Sequence, residues 1–427
     1  MKNTIKGQVL LPGDEGFEEA TRPWNLAVRQ PVRAVVAAED TDDVAAVVRH
    51  ARLHGLTVTA QASGHGASGD VDGVILLRTG RLGEIEIRPG ERTARVGAGV
   101  LWGELQAAAS EYGLTGVPGS SPVVPVVGYT LGGGLGWFSR KYGFAADAVR
   151  SFDVVDADGV RSTVTAESDA ELFWALRGGG GDYALVTAME FDLHPIPALY
   201  GGRLLWPAER APEVLAAFRE ITADAPDELT VWLDLLQFPG APAMVAVDST
   251  FLGGGAEARA LLSPLDGVAG LISDSRGPLP LTELGSINAE PTDPGPALSR
   301  GELLTGLDDV VAKALLERPI APLLSVQLRQ LGGALARPGD GGASGVVEEP
   351  YLLHLLGIPG MGEVGERQEE ITRSLVPYTS GRKPYTFLTR GERAAAAFSG
   401  RVLDRLREVK RDRDPRGVFR ANYPVLG

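Results

Sequence analysis

The β-branched, apolar run Leu56-Thr57-Val58-Thr59-Ala60 breaks into a glycine-rich turn with a histidine at its crest: Gln61-Ala62-Ser63-Gly64-His65-Gly66-Ala67-Ser68-Gly69. A strand that ends in such a turn bares several backbone N–H groups at once, a concavity suited to phosphate or pyrophosphate. A second glycine-rich run extends from Gly119 to Leu131-Gly132-Gly133-Gly134-Leu135-Gly136-Trp137. Two such loops and a histidine predict a large anionic cofactor lying across one domain. Gly64, Gly66 and Gly69 also spell G-x-G-x-x-G, but that spacing marks a dinucleotide fold only where a helix opens directly after it. Here a turn and the strand-like Val74-Ile75-Leu76-Leu77-Arg78 follow, so a Rossmann unit is rejected.

A chain of 427 residues exceeds one ordinary core, which predicts two or three domains. A net charge of -14 argues against nucleic acid, whose phosphates need clustered Lys and Arg. The basic run Arg401 to Arg413 reads as a solvated helix face. With no cysteine there is no disulfide, thiolate nucleophile or cysteine-ligated metal, and no metal site is expected. Met1 to Gly7 lacks the apolar core of a signal peptide, and no run approaches the ~20 apolar residues of a membrane span. The expectation is a soluble cytoplasmic protein.

Thr41 is placed to cap a helix with Val44, Val47, Val48 and Ala51 on its apolar face, ended by Gly55. A second helix runs over Leu101, Leu105 and Ala108 to Gly113. Ser168 and Glu171 have capping-box spacing before Leu172 and Phe173. A strand from Ala184 to Leu193 closes at Pro195 and Pro197, the first domain boundary. Beyond it, strands over Thr230 to Leu236, Met244 to Leu252, Leu324 to Leu331 and Val346 to Leu356 predict an antiparallel sheet with helices on one face. Pro338 to Gly345 reads as a mobile hairpin tip. Val402, Leu403, Leu406 and Val409 share a helical face that Pro415 ends, and Val418 to Tyr423 runs on extended.

In order and spacing these segments resemble the berberine-bridge-enzyme-like flavoprotein oxidases, which carry the PCMH-type FAD-binding domain of the vanillyl-alcohol/para-cresol oxidase superfamily. The carriers are Gln61 to Gly66, Pro118 to Pro122 with Gly128 and Leu131 to Trp137, Ser139 to Gly143, Leu172 to Gly181 with Val186-Thr187, and Asp414-Pro415 with Val418 to Asn422. The resemblance implies an α+β protein: a two-subdomain FAD-binding domain over 1–197, a substrate domain over 198–380, and a segment over 381–427 returning to the first. It implies that His65 bonds covalently to FAD, a step open to a neutral imidazole near pH 7. Gln61, Ala62, Ser63, Gly64, Gly66 and Gly69 would hold the pyrophosphate. Gly119, Ser120, Ser121, Gly128, Leu131, Gly132 and Gly134 would line the flavin, with Val186 and Asn422 also contacting the cofactor. Many relatives add a cysteinyl link where this chain has Ser121, so attachment through His65 alone is expected.

The chemistry so implied is oxidation at a carbon bearing oxygen or nitrogen, with O₂ as final acceptor and hydrogen peroxide as product. The substrate would be a medium-sized small molecule of secondary metabolism. A flavin-dependent cyclase and a drug-binding resistance protein are the alternatives on the same scaffold. The proton acceptor is left open among Tyr385, Tyr129, Tyr351 and His354, because Pro384-Tyr385-Thr386-Phe387 departs from the usual Tyr-x-Asn pattern of relatives. Strand alternation puts Ser325, Gln327 and Arg329 on one face. Gln327 and Arg329 are candidate substrate contacts, a solvated sheet face being the alternative. Neither nucleic acid nor membrane is an expected partner, and monomer and homodimer both remain open.

Overall fold

The computed structural model describes residues 4–196, 198–339 and 341–427. Pro197, part of the expected boundary, and Asp340, inside the expected tip, lie outside the described residues. Asp40 rather than Thr41 caps the helix Thr41–His54, accepting from the Asp43 N–H, and Gly55 ends it with φ 62°. This helix crosses between the parallel strands of a small sheet ordered Gln8–Leu10, Ala34–Ala37, Ile75–Arg78 and Val58–Gln61. Val44, Val47, Val48 and Ala51 pack inward from it. Likewise Asp169, not Ser168, caps Ala170–Leu176 by accepting from Leu172 N–H.

A second, antiparallel sheet has the order Ile85–Arg88, Thr93–Gly97, Leu185–Asp192, Val149–Val155 and Arg161–Val164. It shares one core with the first, joined by Trp102, Phe152 and Leu176.

A third sheet runs Ser273–Asp274, Tyr200–Pro207, Met244–Phe251, Leu229–Leu236, Ser325–Gln330, Tyr351–Gly357 and Leu298–Leu304, with Gly277–Pro278 also on Tyr200–Pro207. Its pairings are antiparallel. The helices Ala211–Ala223, Asp309–Leu316 and Val364–Ser374 cover one face, where Val214, Phe218, Val311, Leu315 and Ile371 meet Leu233, Val247, Leu328 and Leu353. The molecule is therefore α+β with helices on one side of the large sheet, and the bare side faces the first two sheets.

Two contacts hold that orientation. Trp137 stacks on Trp232 with centroids 3.6 Å apart and planes 13° apart. The buried Arg140 reaches four carbonyls of the second unit: Leu229 at 2.7 Å, Ala225 at 2.9 Å, Pro226 at 3.2 Å, and Leu331. Each bond carries a full positive charge to a carbonyl dipole, which makes it stronger than a neutral bond.

Within the expected mobile tip, Gly342 to Ser344 pack against the first unit. Ala343 is buried, its N–H donates to the Trp174 carbonyl at 3.3 Å, and Ser344 N–H donates to that of Arg177 at 3.4 Å. Glycine is needed at 342, where a Cβ would lie 2.2 Å from the Arg177 oxygen. The strand expected from Val346 begins at Tyr351.

The helix Gly400–Arg413 then brings the chain back, burying Leu403, Leu406 and Val409 in the first core. Lys410, inside the run expected to be solvated, is buried. Its Nζ donates to the Asp182 carbonyl at 2.7 Å, to Asp414 at 2.8 Å and to the Phe419 carbonyl at 2.8 Å. Beyond it, Val58 N–H donates to Val418 O at 2.7 Å and Arg420 N–H to Val58 O at 3.0 Å, which adds the terminal segment to the edge of the first sheet. Among the described residues no helix is long and apolar enough to cross a membrane.

Candidate active site

The loop after Val58–Gln61 leaves its donors free. The backbone N–H groups of Ser63, Gly64, His65 and Gly66 donate to no group among the described residues. Gly64 has φ 83°, a conformation glycine adopts without strain, and Pro23 packs against it. Outside Gly66 the nearest atom to a would-be Cβ is Asn422 Nδ2 at 3.7 Å, so the loop is open on that side. Asn422 Oδ1 in turn accepts from Gln61 Nε2 at 3.3 Å. Gly69, with φ 82°, faces the Arg29 backbone instead and supports the turn.

His65 sits within this cradle. Its ring stacks on Trp24 at 4.3 Å with 15° between planes, and Nδ1 lies 2.6 Å from Ser63 Oγ. Nε2 is buried without a partner. Burial away from water lowers the imidazole pKa to about 4, so the ring is neutral at pH 7.

The second loop repeats the pattern. Gly119, Ser120 and Ser121 N–H groups also donate to nothing described, and Gly128 has open space where a Cβ would stand. Gly119 and Gly134 close against the ring of Tyr129, and Gly132 against Thr386 and Tyr385. Leu131 is half-buried beside them and Val186 belongs to the core beneath. Two runs of unpaired amides and a buried, unpartnered imidazole nitrogen fit a long anionic cofactor such as FAD, because a concavity of backbone N–H donors favours an anion.

The bare face of the large sheet roofs this cradle with polar groups. Ser325, Gln327 and Arg329 are 8%, 4% and 7% exposed, so this face is not solvated. Opposite Gln327 in register stand Asp234 on one side and His354 on the other. Asp234 accepts from Ser325 Oγ at 2.6 Å and Gln327 Nε2 at 3.2 Å, and burial pushes its pKa up to about 7. Arg203 grips Asp248 with two bonds of 2.6 and 2.7 Å. Burial lowers the His354 pKa to about 3, and its ring meets Phe387 edge-on at 5.5 Å. Asp234, Asp248 and Arg203 were not singled out from the sequence. Alternation within Leu229–Leu236 places Trp232 and Asp234 on one face, and the Trp232 side was the available signal.

The proton-acceptor candidates separate. Tyr351 is three residues from His354 on one strand and points to the opposite, helix-covered face, where its hydroxyl lies 2.7 Å from Thr222 Oγ1. It is withdrawn as a site residue. The Tyr385 hydroxyl donates to the Tyr423 carbonyl at 3.3 Å and crowds Gly180, away from the roof. Burial raises its pKa, which opposes phenolate formation. Tyr129 OH is buried and unpartnered, and burial raises its pKa too. His354 and Tyr129 thus remain beside the cleft, joined by Asp234.

Known proteins agree with this architecture. The FAD binding domain family matches residues 32–165. (R)-6-hydroxynicotine oxidase of Paenarthrobacter nicotinovorans is 28% identical over 461 aligned positions, covering 99% of this chain and 97% of that protein. The crystal structure of 6-hydroxy-D-nicotine oxidase from Arthrobacter nicotinovorans superposes with TM-score 0.84 at 26% identity, over 99% of this chain and 98% of that one. BBE-like 1 of Physcomitrella patens shares the fold with TM-score 0.86 at 21% identity, over 98% and 97% of the two chains.

Proposed function

We propose that this chain is an FAD-linked oxidase of the berberine-bridge-enzyme-like group, oxidising a small molecule at a carbon bearing oxygen or nitrogen, with FAD bound covalently through His65 alone. The observation that carries the proposal is the buried, unpartnered Nε2 of His65, set among unpaired amides of two loops. Bound there, FAD supplies the two-electron acceptor and O₂ takes the electrons onward to hydrogen peroxide.

The protein's own residues do the rest. Amides of Ser63 to Gly66 and of Gly119 to Ser121 are free to hold oxygen atoms of the cofactor. Asn422 closes the first loop through Gln61. Trp24 fixes the plane of the His65 ring, and Ser63 occupies its Nδ1. Ser121 cannot form a thioether and the chain has no cysteine, which supports a single link. Over the cleft, Asp234, with a pKa near 7, is the group best matched to accepting a proton at neutral pH, and His354 and Tyr129 stand beside it.

Acid precipitation tests the link: flavin absorbance should stay with the pellet. Peroxide formation under air with a substrate tests the oxidase reading. Flavin recovered wholly in the supernatant would refute covalent attachment, and anaerobic reduction without peroxide on aeration would refute the oxidase.

A further inference from the structure

The roof holds a cation to which, among the described residues, no carboxylate makes a hydrogen bond. Arg329 is buried, its guanidinium lies 4.0 Å over the Trp232 ring and 5.4 Å over Phe387, and its Nε donates to Gln327 Oε1 at 2.5 Å. Its two terminal nitrogens donate to no protein group among the described residues. The acids around it are otherwise engaged. Asp248 is gripped by Arg203, Asp234 accepts from Ser325 and Gln327, and Glu290 accepts from Asn288 at 2.7 Å. Glu290, Asp234 and Asp248 act on the guanidinium through space only, and a buried cation whose terminal N–H groups lack acceptors keeps a desolvation cost that a cation–π contact offsets only in part.

Facing it from the second glycine loop is Tyr129, whose hydroxyl is buried without a partner and lies within electrostatic reach of Arg329. Two guanidinium N–H edges and one phenol O–H thus converge from the two units on the cleft between them. A planar carboxylate matches that donor set, because it accepts two parallel bonds from a guanidinium and has lone pairs left for a hydroxyl.

We propose that the substrate of this cleft is an anion, a carboxylate clamped by Arg329 and Tyr129. The proposal rests on the oxidase reading only for the claim that substrate occupies this cleft.

The test is calorimetric titration of the flavin-containing protein with matched acid and amide pairs: benzoate and benzamide, 4-hydroxybenzoate and 4-hydroxybenzamide, cinnamate and cinnamamide. At least one acid should bind about tenfold more tightly than its amide, the scale of exchanging a neutral for a charge-assisted bond. Arg329→Gln should erase that preference, Arg329→Lys should keep part of it, and Tyr129→Phe should reduce it. Amides binding as well as acids in all three pairs, no binding by any of the six, or a preference surviving in Arg329→Gln would each overturn the proposal. If Arg329→Gln fails to fold, the wild-type comparison decides alone. Flavin content of the same sample is read separately by acid precipitation, so a colourless protein refutes the flavin reading whatever the calorimeter records.

Discussion

Ser63 Oγ and His65 Nδ1 lie 2.6 Å apart, a contact that occupies one nitrogen of the imidazole and leaves the other, Nε2, without a protein partner. In the tautomer whose Nδ1 proton is donated to Ser63, the lone pair resides on Nε2, the buried nitrogen that has no protein partner. His65→Ala should therefore release all flavin on acid precipitation. Ser63→Ala should still attach flavin, but about tenfold more slowly, the scale on which lost outer partners of a reactive histidine are felt. Covalently retained absorbance against time after mixing apoprotein with FAD measures both. A Ser63→Ala protein attaching at the wild-type rate would show that the contact is incidental.

Tyr385 was the nearest positional candidate for proton acceptor, and its geometry argues for a packing role. Its hydroxyl already serves the Tyr423 carbonyl and its ring fills the space left by Gly132 and Gly180. Tyr385→Phe should slow anaerobic flavin reduction by far less than the ~10²-fold expected for a lost general base. Asp234→Asn should approach that loss. Stopped-flow reduction of both variants with one substrate ranks them, and the reverse order would restore Tyr385.

Lys410 binds Asp182, Asp414 and the Phe419 carbonyl in the interior, while Asp182 accepts from Ala421 N–H at 3.0 Å and Val425 N–H at 3.1 Å. Lys410→Met leaves two carboxylates buried without their cation. Unfolding by denaturant should show a loss of about 3–5 kcal/mol. Non-covalently held FAD, studied in the His65→Ala background, should also leave faster. A stability change near zero would mean that the terminal segment is held by its apolar contacts alone.

His194 gives a test of pH dependence outside the cleft. It stacks on Tyr142 at 3.7 Å and 6°, Nε2 is unpartnered, and burial lowers its pKa to about 4. The unfolded chain, with histidine near its ordinary ~6.5, takes up protons that the folded chain refuses between those values. Stability should consequently fall as pH drops from about 6.5 towards 4. His194→Phe keeps a flat ring and removes the titrating group, so its melting temperature should fall less across that window. Equal acid sensitivity in the two proteins would assign the effect to other groups, His65 and His354 first.

The cofactor cradle was legible because its chemistry is local: a run such as Gln61 to Gly66 carries its turn, its bare amides and its histidine within a few residues. The roof was only half legible. Alternation places Gln327 with Arg329, yet it cannot say that Asp234 and His354 arrive from neighbouring strands to flank Gln327, since that depends on register across the sheet. Tyr351 could have been set aside earlier. Three residues from His354 on a strand, it has to face the other way. The segment holding Ala343 was misread because glycines permitting close backbone approach look the same in sequence as glycines of a free loop.

The bond from Gln61 to Asn422 joins residues 361 positions apart. Everything between them, including the whole large sheet, has to be synthesised before the first loop acquires its lid. Loading of the cofactor is thereby placed late in the life of the molecule: a nascent chain that has made both glycine loops and His65 still has an open cradle. Fragments ending before the return helix should be colourless however well their own sheets fold, and shortened versions made for crystallisation or display need residues 400–423 kept in place.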